Sequence, residues 1–258
     1  MRLWKIGAFM VAMMLLPAQA AVVITGTRVV YPEQSREVNV RMTNIENSPV
    51  LVQAWIDDGD VNAQPDEIQV PFVLTPPVFR MEPKKGQTLR VMYAGENAPP
   101  ERESLYWLNV LEIPPTAQDA ASRNLLQFAF RTRIKLFYRP AALQEDPSAV
   151  RARLKWRLVP GAKDAKDAKD AKDEKGGGPV LRVDNPTPYH ISFSRVTLKS
   201  GDRETSFNQD MVAPFGHLDF ERKQGEPGLV KAPGLVSYGL LNDYGAEVKD
   251  TANVETVE

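Results

Sequence analysis

Asn124-Leu125-Leu126-Gln127-Phe128-Ala129-Phe130-Arg131-Thr132-Arg133-Ile134-Lys135-Leu136-Phe137-Tyr138-Arg139-Pro140 is the most informative stretch of this 258-residue chain. Side chains of a strand alternate between two faces, so Leu126, Phe128, Phe130 and Ile134 share one face. Gln127, Arg131, Arg133 and Lys135 share the other. This is the period of a half-buried strand. Taken alone, the pattern reads as a strand with an apolar face on a core and a basic face in water.

Working outward, the flanking sequence is strand after strand. Glu37 to Met42 alternates apolar with polar, and Val50 to Ile56, Phe72 to Leu74, Thr88 to Tyr93 and Ser104 to Ile113 continue the series. Turn signals punctuate it at Asn44 to Pro49, Pro76-Pro77, Pro83, Gly86, Pro99-Pro100 and Pro114-Pro115. Asp57-Asp58-Gly59-Asp60 reads as a solvated turn. It is not a calcium loop, because the bidentate acid expected eleven positions on is replaced by Ile68 or Gln69. Pro140 to Pro147 reads as a linker, and a second strand-rich set follows: Leu154 to Val159, Val180 to Val183, Tyr189 to Leu198, Val212 to Pro214 and Leu235 to Leu241. No long amphipathic helix is present. The expectation is an all-β fold of two antiparallel sandwiches, residues 21–142 and 143–258, each of ordinary domain size.

One tract breaks the pattern. Ala-Lys-Asp repeats from Ala162 through Asp173, and Gly176-Gly177-Gly178 closes it. A period of three puts no apolar stripe on a helix, so this charged insertion at 162–175 reads as a solvated hairpin tip.

The first twenty residues form a separate unit. Arg2 and Lys5 precede an apolar run from Ile6 to Leu16, and Pro17-Ala18-Gln19-Ala20 supplies small residues at a cleavage point. That order is a secretory signal peptide, with cleavage expected after Ala20. The run falls short of the ~20 residues a membrane-spanning helix needs, so no stable membrane insertion is expected. Arg2 and Lys5 are two of the 32 basic residues, so cleavage moves the formal net charge from −1 to −3. Neither value suggests a nucleic-acid partner. With 43% hydrophobic and 25% charged residues the chain has a globular balance, and with no Cys it must rely on packing.

The sequence offers little for catalysis. His190 and His217 sit in no metal-binding spacing, and no nucleophile elbow, phosphate-cradling loop or dinucleotide fingerprint occurs. Glu101 and Glu103 share a strand face, but nothing beside them marks a sugar site. No catalytic residue, metal or cofactor is expected.

Ile134-Lys135-Leu136-Phe137-Tyr138-Arg139-Pro140 resembles the motif that ends the first domain of periplasmic pilus chaperones. Thr75-Pro76-Pro77-Val78-Phe79-Arg80, Arg102 to Asn109, Glu112-Ile113-Pro114-Pro115, Asn185-Pro186-Thr187-Pro188-Tyr189 and Asn242-Asp243-Tyr244-Gly245 are similar to further family signatures, in the family's order. The short connection from Pro115 to Asn124 resembles the short-loop subclass. The resemblance implies two immunoglobulin-like β-sandwich domains in a boomerang arrangement. It implies a chaperone that acts in the periplasm without ATP, holding pilin subunits and delivering them to an outer-membrane usher.

The resemblance also implies roles for particular residues. Leu126, Phe128 and Phe130 would fill the gap of an incomplete pilin while the strand backbone pairs with its open edge, a case of β-augmentation. Arg28 and Lys135 would grip the pilin's C-terminal carboxylate. Glu103, Arg139 and Asp243 would form an ion network between the domains. Pro49, Leu51 and Pro77 align with a surface that meets the usher, although the prolines equally fit turns and Leu51 equally fits a core. An empty chaperone would cap its exposed strand by self-pairing as a dimer. Other exported classes fit less well: a pilus subunit or adhesin would be a single incomplete domain with a donor extension, and a sandwich hydrolase would need convergent acid, base and nucleophile.

Overall fold

The structure, a computed structural model, describes residues 21–95, 98–115, 127–147, 149–160, 179–226, 229 and 234–256. The expected signal peptide, the charged repeat, residues 116–126 of the short connection before the expected donor strand, and with them Leu126, lie outside the described residues. Among those described, every regular element except one 3₁₀ turn is a strand.

The first half carries β1 (Val22–Ile24), β2 (Arg28–Pro32), β3 (Val38–Asn44), β4 (Val50–Asp57), β5 (Phe72–Thr75), β6 (Val78–Met81), β7 (Gly86–Tyr93), β8 (Ser104–Ile113) and β9 (Phe130–Arg139). They form two sheets, in the orders β1-β3-β7-β5 and β2-β9-β8-β4-β6. Alternate residues point inward, as in β3, where Val40 and Met42 are buried while Asn39 and Arg41 are exposed. The inward set packs as one core around Val52, Leu89, Val91, Leu108, Val110 and Leu136, each fully buried. Tyr31, Phe72, Tyr93, Tyr106 and Tyr138 close one end, with ring centroids 4.2 to 6.5 Å apart. Edge and offset contacts of this kind add to the energy of area burial.

The second half opens with the 3₁₀ turn Val150–Arg153 and continues with β10 (Lys155–Val159), β11 (Val180–Asp184), β12 (Ile191–Ser200), β13 (Arg203–Ser206), β14 (Met211–Val212), β15 (His217–Phe220), β16 (Gly234–Leu241) and β17 (Glu247–Thr256). Their order is β13-β12-β16-β17-β10-β11-β15, with β14 beside β12. A second, separate core forms around Trp156, which stacks on Phe220 at 5.6 Å and meets Tyr238 at 5.0 Å. The two-sandwich, all-β architecture expected from the sequence is the one observed.

The feature that positions the site is a strand switch near the start. β1 pairs with β3 in one sheet, whereas β2 pairs in parallel with β9 in the other, Arg28 opposite Lys135 through Pro32 opposite Arg139. Continuing the β2 register backwards would set Ile24 opposite Arg131. Instead the chain crosses to the opposite sheet at Gly26, whose φ of 99° lies in the left-handed region that glycine enters without strain. The crossing leaves Phe130 to Ile134 paired to β8 on one side and to no strand among the described residues on the other.

Candidate functional site

The open part of β9 covers five residues, so it offers about 17 Å of unpaired backbone at about 3.3–3.4 Å per residue. Its inward row begins with apolar side chains that are not covered. Phe128 is 60% exposed and Phe130 40%, whereas Ile134 and Leu136, further along the same row, are buried. The alternation seen in the sequence therefore holds, with one correction at its start. Gln127 to Ala129 are not in a ladder, and β9 begins at Phe130.

The outward row of β9 carries Arg131, Arg133 and Lys135, with Arg28 beside Lys135 on β2. Their surroundings separate them into two kinds. Asp57, at the end of β4, is wholly buried and accepts from both Nε and Nη2 of Arg133, from Asn109 Nδ2 at 2.7 Å and from the Gly59 amide at 2.8 Å. Arg131 donates to Asn109 Oδ1 at 2.9 Å and to the Val61 carbonyl at 2.7 Å. The guanidiniums of Arg131 and Arg133 lie over Trp55 and Trp107, at 4.9 and 4.2 Å from the ring centres. These two arginines are fully engaged. Asp57 corrects the expectation of a solvated turn. A carboxylate that opens an acidic loop in the sequence is, in the fold, the counter-charge of a strand two positions across the sheet. Its acidity reflects this: burial alone would raise its pKa, but hydrogen bonds from Arg133, Asn109 and Gly59 and the Arg133 charge hold it below the ordinary value.

Arg28 and Lys135 are different. Neither forms an ion pair with a carboxylate among the described residues. Arg28 Nη1 donates to the Leu241 carbonyl at 3.1 Å, and Lys135 Nζ reaches Ser192 Oγ at a long 3.4 Å. Both acceptors are neutral and both come from the second domain. Arg28 Nε is buried without a hydrogen-bond partner. Burial lowers the pKa of both cations; for Arg28 the charges of Asp243 and Glu103 partly offset this, and for Lys135 the neighbouring Arg28 charge lowers it further while Asp210 partly offsets it. Two adjacent, half-buried cations whose hydrogen-bond acceptors are neutral have the chemistry to hold an anion, and a guanidinium fork and a mobile ammonium match a carboxylate.

A few residues along, the same strands carry a satisfied network. Arg139 binds Asp243 through both terminal nitrogens, at 2.6 and 2.8 Å, and Glu103 Oε1 through Nε at 2.8 Å. Glu103 Oε2 accepts the His190 amide at 2.9 Å, and the Glu103 amide donates to the Pro188 carbonyl at 3.0 Å. Burial works against the Arg139 charge, but the bonds to Asp243 and the two carboxylate charges outweigh it and raise its pKa.

Local sequence explains why the second domain can supply these partners. In Asn185-Pro186-Thr187-Pro188-Tyr189, buried Asn185 donates to the carbonyls of Tyr189 and Ala213 and accepts from Thr187 Oγ1, which fixes the loop carrying Pro188 and His190. In the β16–β17 turn, Asn242 Oδ1 accepts the amides of Tyr244 and Ala246 and so presents Asp243. Gly245 there has a φ of 79° and lies so close to Thr27 of the first domain that a Cβ would collide with its hydroxyl. A cleft of about 150 Å³ lies between the domains, with Arg28, Phe137, Arg139, His190 and Asp243 on its walls.

The structure thus brings Arg28 to Lys135, and Glu103 to Arg139 and Asp243, as neighbouring groups on one interdomain face. Pro49 and Leu51 lie apart from it, in a shallow groove with Arg80, Ile113, Pro114 and Pro115. Leu51 is 42% exposed and so is not core, and Pro77 is exposed beside Val78, itself 51% exposed. Glu101 is exposed near Arg102 and does not converge with buried Glu103. Among the described residues no cluster of potential metal ligands occurs, and no helix is long and apolar enough to cross a membrane. Asp57, Ser192 and Leu241 were not signalled by the sequence: an aspartate in an acidic loop, a serine in a strand and a backbone carbonyl carry no pattern of their own.

Comparison with known proteins identifies both halves of the chain. Residues 21–144 match the family described as the pili and flagellar-assembly chaperone, PapD N-terminal domain, and residues 150–252 match the pili assembly chaperone PapD, C-terminal domain. The probable fimbrial chaperone YadV of Escherichia coli K12 is 42% identical over 238 residues, covering 91% of this chain and 90% of its own. The chaperone protein FimB/FhaD of Bordetella pertussis is 38% identical, covering 95% of each. Among solved structures, the YadV chaperone superposes with a TM-score of 0.72 at 39% identity, over 91% of this chain and all of that one. The Pseudomonas aeruginosa CupB2 chaperone gives 0.70 at 37%, over 90% of this chain and all of that one. With both of its domains matched and full-length relatives this similar, the chain belongs to the family of fimbrial assembly chaperones.

Proposed function

We propose that this protein is exported, loses its first twenty residues after Ala20, and works in the periplasm as a chaperone that binds, stabilises and delivers pilin subunits to an outer-membrane usher. It does so by donor-strand complementation, without ATP and without catalysing a reaction. The observation that carries this reading is the open edge of β9, which ends at a pair of cations with no carboxylate in ion-pair contact among the described residues.

An exposed apolar edge is an aggregation hazard unless it is used. Here it would be used by a client. The backbone of Phe130 to Ile134 pairs with the pilin's edge, and Phe128 and Phe130, with Leu126 before them, enter the groove left by the pilin's missing strand. Fully burying such a side chain contributes roughly 1.5–3 kcal/mol before ordering costs. Arg28 and Lys135 take the pilin's C-terminal carboxylate and set the register of the added strand, since a one-residue slip would turn the phenylalanines to the wrong face. Glu103, Arg139 and Asp243 hold the domains so that Ser192 and Leu241 frame the same pocket. The surface around Pro49, Leu51 and Pro77 serves as the usher contact, and the empty protein covers its β9 edge with that of a second copy.

Pull-down from periplasm with mass spectrometry, comparing wild type with Lys135→Ala, tests the reading. Pilin held by wild type and lost from a folded variant supports both the client and the anchor. A folded wild type that captures no pilin in cells making them overturns the function. Equal capture by the variant removes Lys135 from the mechanism.

A further inference from the structure

At the other end of the first domain, β8 carries a carboxylate whose purpose the client site does not explain. Glu112 is 2% exposed and points into the sandwich, opposite Val52 on β4 and Phe130 on β9. Its Oε2 accepts the amides of Ala21 and Val22, at 2.7 and 3.0 Å. Its Oε1 is buried and has no hydrogen-bond partner among the described residues. Buried acceptors are nearly always paired, and an ionised carboxylate with a bare oxygen in an apolar core is costly. Two neutral amides do not require a charged partner.

The residue above it supplies the missing half. In the full chain, the nitrogen of Ala21 is a peptide N–H. Hydrolysis of the Ala20–Ala21 bond by an export endopeptidase, with one water, leaves a carboxylate on the leader and an amine on Ala21. With an ordinary pKa of about 7.7–8.0, that amine is mostly protonated at neutral pH. Its ammonium has three donors where the amide had one, at the position already 2.7 Å from Oε2.

We propose that Glu112 is the binding site for the α-ammonium group created at Ala21, so that removal of the leader closes a buried ion pair between the first residue and β8. The inference rests on export and cleavage after Ala20. The pair strengthens the link from β1, which also pairs with β3, to the strand that backs the donor edge, because Glu112 and Phe130 are direct cross-strand partners. The unprocessed chain has only the two neutral amide bonds to Glu112 and gains the charge on its first residue after cleavage. In the uncleaved state, burial outweighs the two amide bonds and raises the Glu112 pKa, and an ammonium at Ala21 acts in the opposite direction.

The experiment uses protein purified from periplasm, its first residue read by intact mass. Wild type and Glu112→Gln are each compared with a portion whose α-amine has been carbamylated near neutral pH, where lysines stay protonated. Urea unfolding is followed for all four. Blocking the amine should raise the unfolding equilibrium constant roughly tenfold or more in wild type, as for loss of one partner of a buried pair, and by less than about twofold in Glu112→Gln. An equal effect in both, or none in wild type, overturns the proposal. A mass that begins elsewhere than Ala21 overturns the processing expectation itself, before any stability is measured. Should Glu112→Gln fail to fold, the rate of carbamylation decides: the amine of wild type should react at least about tenfold more slowly than that of a chain with one glycine added before Ala21, and equal rates refute the site.

Discussion

Replacing Lys135 by methionine should make the empty protein more stable while abolishing its grip on clients. The ammonium sits beside Arg28 on the adjacent strand, both cations are partly buried, and their direct contacts are neutral. Strands lie about 4.8 Å apart, so the two charges are about 5–8 Å apart. At an effective dielectric near 20 their repulsion is on the order of 2–3 kcal/mol. Methionine keeps the apolar stem against Trp107 but forfeits the cation–ring contact at 5.7 Å and the long bond to Ser192. Those losses are worth about 0.5–1 kcal/mol each, leaving a net gain of about 1 kcal/mol. The sign agrees with the titration argument. The folded pKa of Lys135 is depressed, so the charged lysine destabilises the folded state below that pKa, and the penalty is relieved as pH rises through it. Thermal and urea unfolding followed by tryptophan fluorescence should show a midpoint about 2–4 °C higher at unchanged urea dependence. A lower midpoint would mean that the ammonium is already satisfied in the empty protein, and would refute the assignment of Arg28 and Lys135 as an anion site.

Arg139→Ala should be the most damaging change in the interdomain network, costing about 3 kcal/mol, because it strands Glu103 as a buried charge. Asp243→Asn should cost about 1 kcal/mol, since Asp243 is one-third exposed and solvent screens it; denaturant titration of both checks the order. Asp57 has a folded pKa below its unfolded value, so its stabilisation is present above about pH 4 and is lost as pH falls through the folded pKa. Asp57→Asn should therefore flatten the acid limb of the stability profile, and an unchanged limb would exclude Asp57 as its source. Phe130→Ser removes an apolar group that is 40% exposed, so it should cost about 1–2 kcal/mol of stability and leave the protein folded while reducing pilin capture severely, as read by pull-down.

The central strands were legible because they alternate cleanly. β8 runs over the ten residues from Ser104 to Ile113 that the sequence marked, and β4 and β7 differ from expectation only at their ends. The missed strands have other causes. β17 runs Glu247-Val-Lys-Asp-Thr-Ala-Asn-Val-Glu-Thr, a polar sequence with few apolar residues to mark a face, and it is a strand because β16 and β10 supply partners on both sides. β1 and β2 are short and separated by the crossing at Gly26, so no period is long enough to read. Lys135, Arg139 and Glu103 could be singled out only through motifs, since charge alternation alone does not distinguish Lys135 from Arg131 and Arg133. That distinction comes from Asp57, which neutralises one arginine and, through Asn109, orients the other.

Hydrogen–deuterium exchange over Phe130 to Ile134, with the protein alone at high dilution and bound to a co-produced pilin subunit, reads whether this edge receives the client's strand. The amides facing away from β8 should exchange fast in the free protein and become protected by at least about a hundredfold in the complex, while those bonded to β8 change little. Protection already complete in the free monomer, or absent from these amides in a stable complex, would contradict strand pairing at this edge.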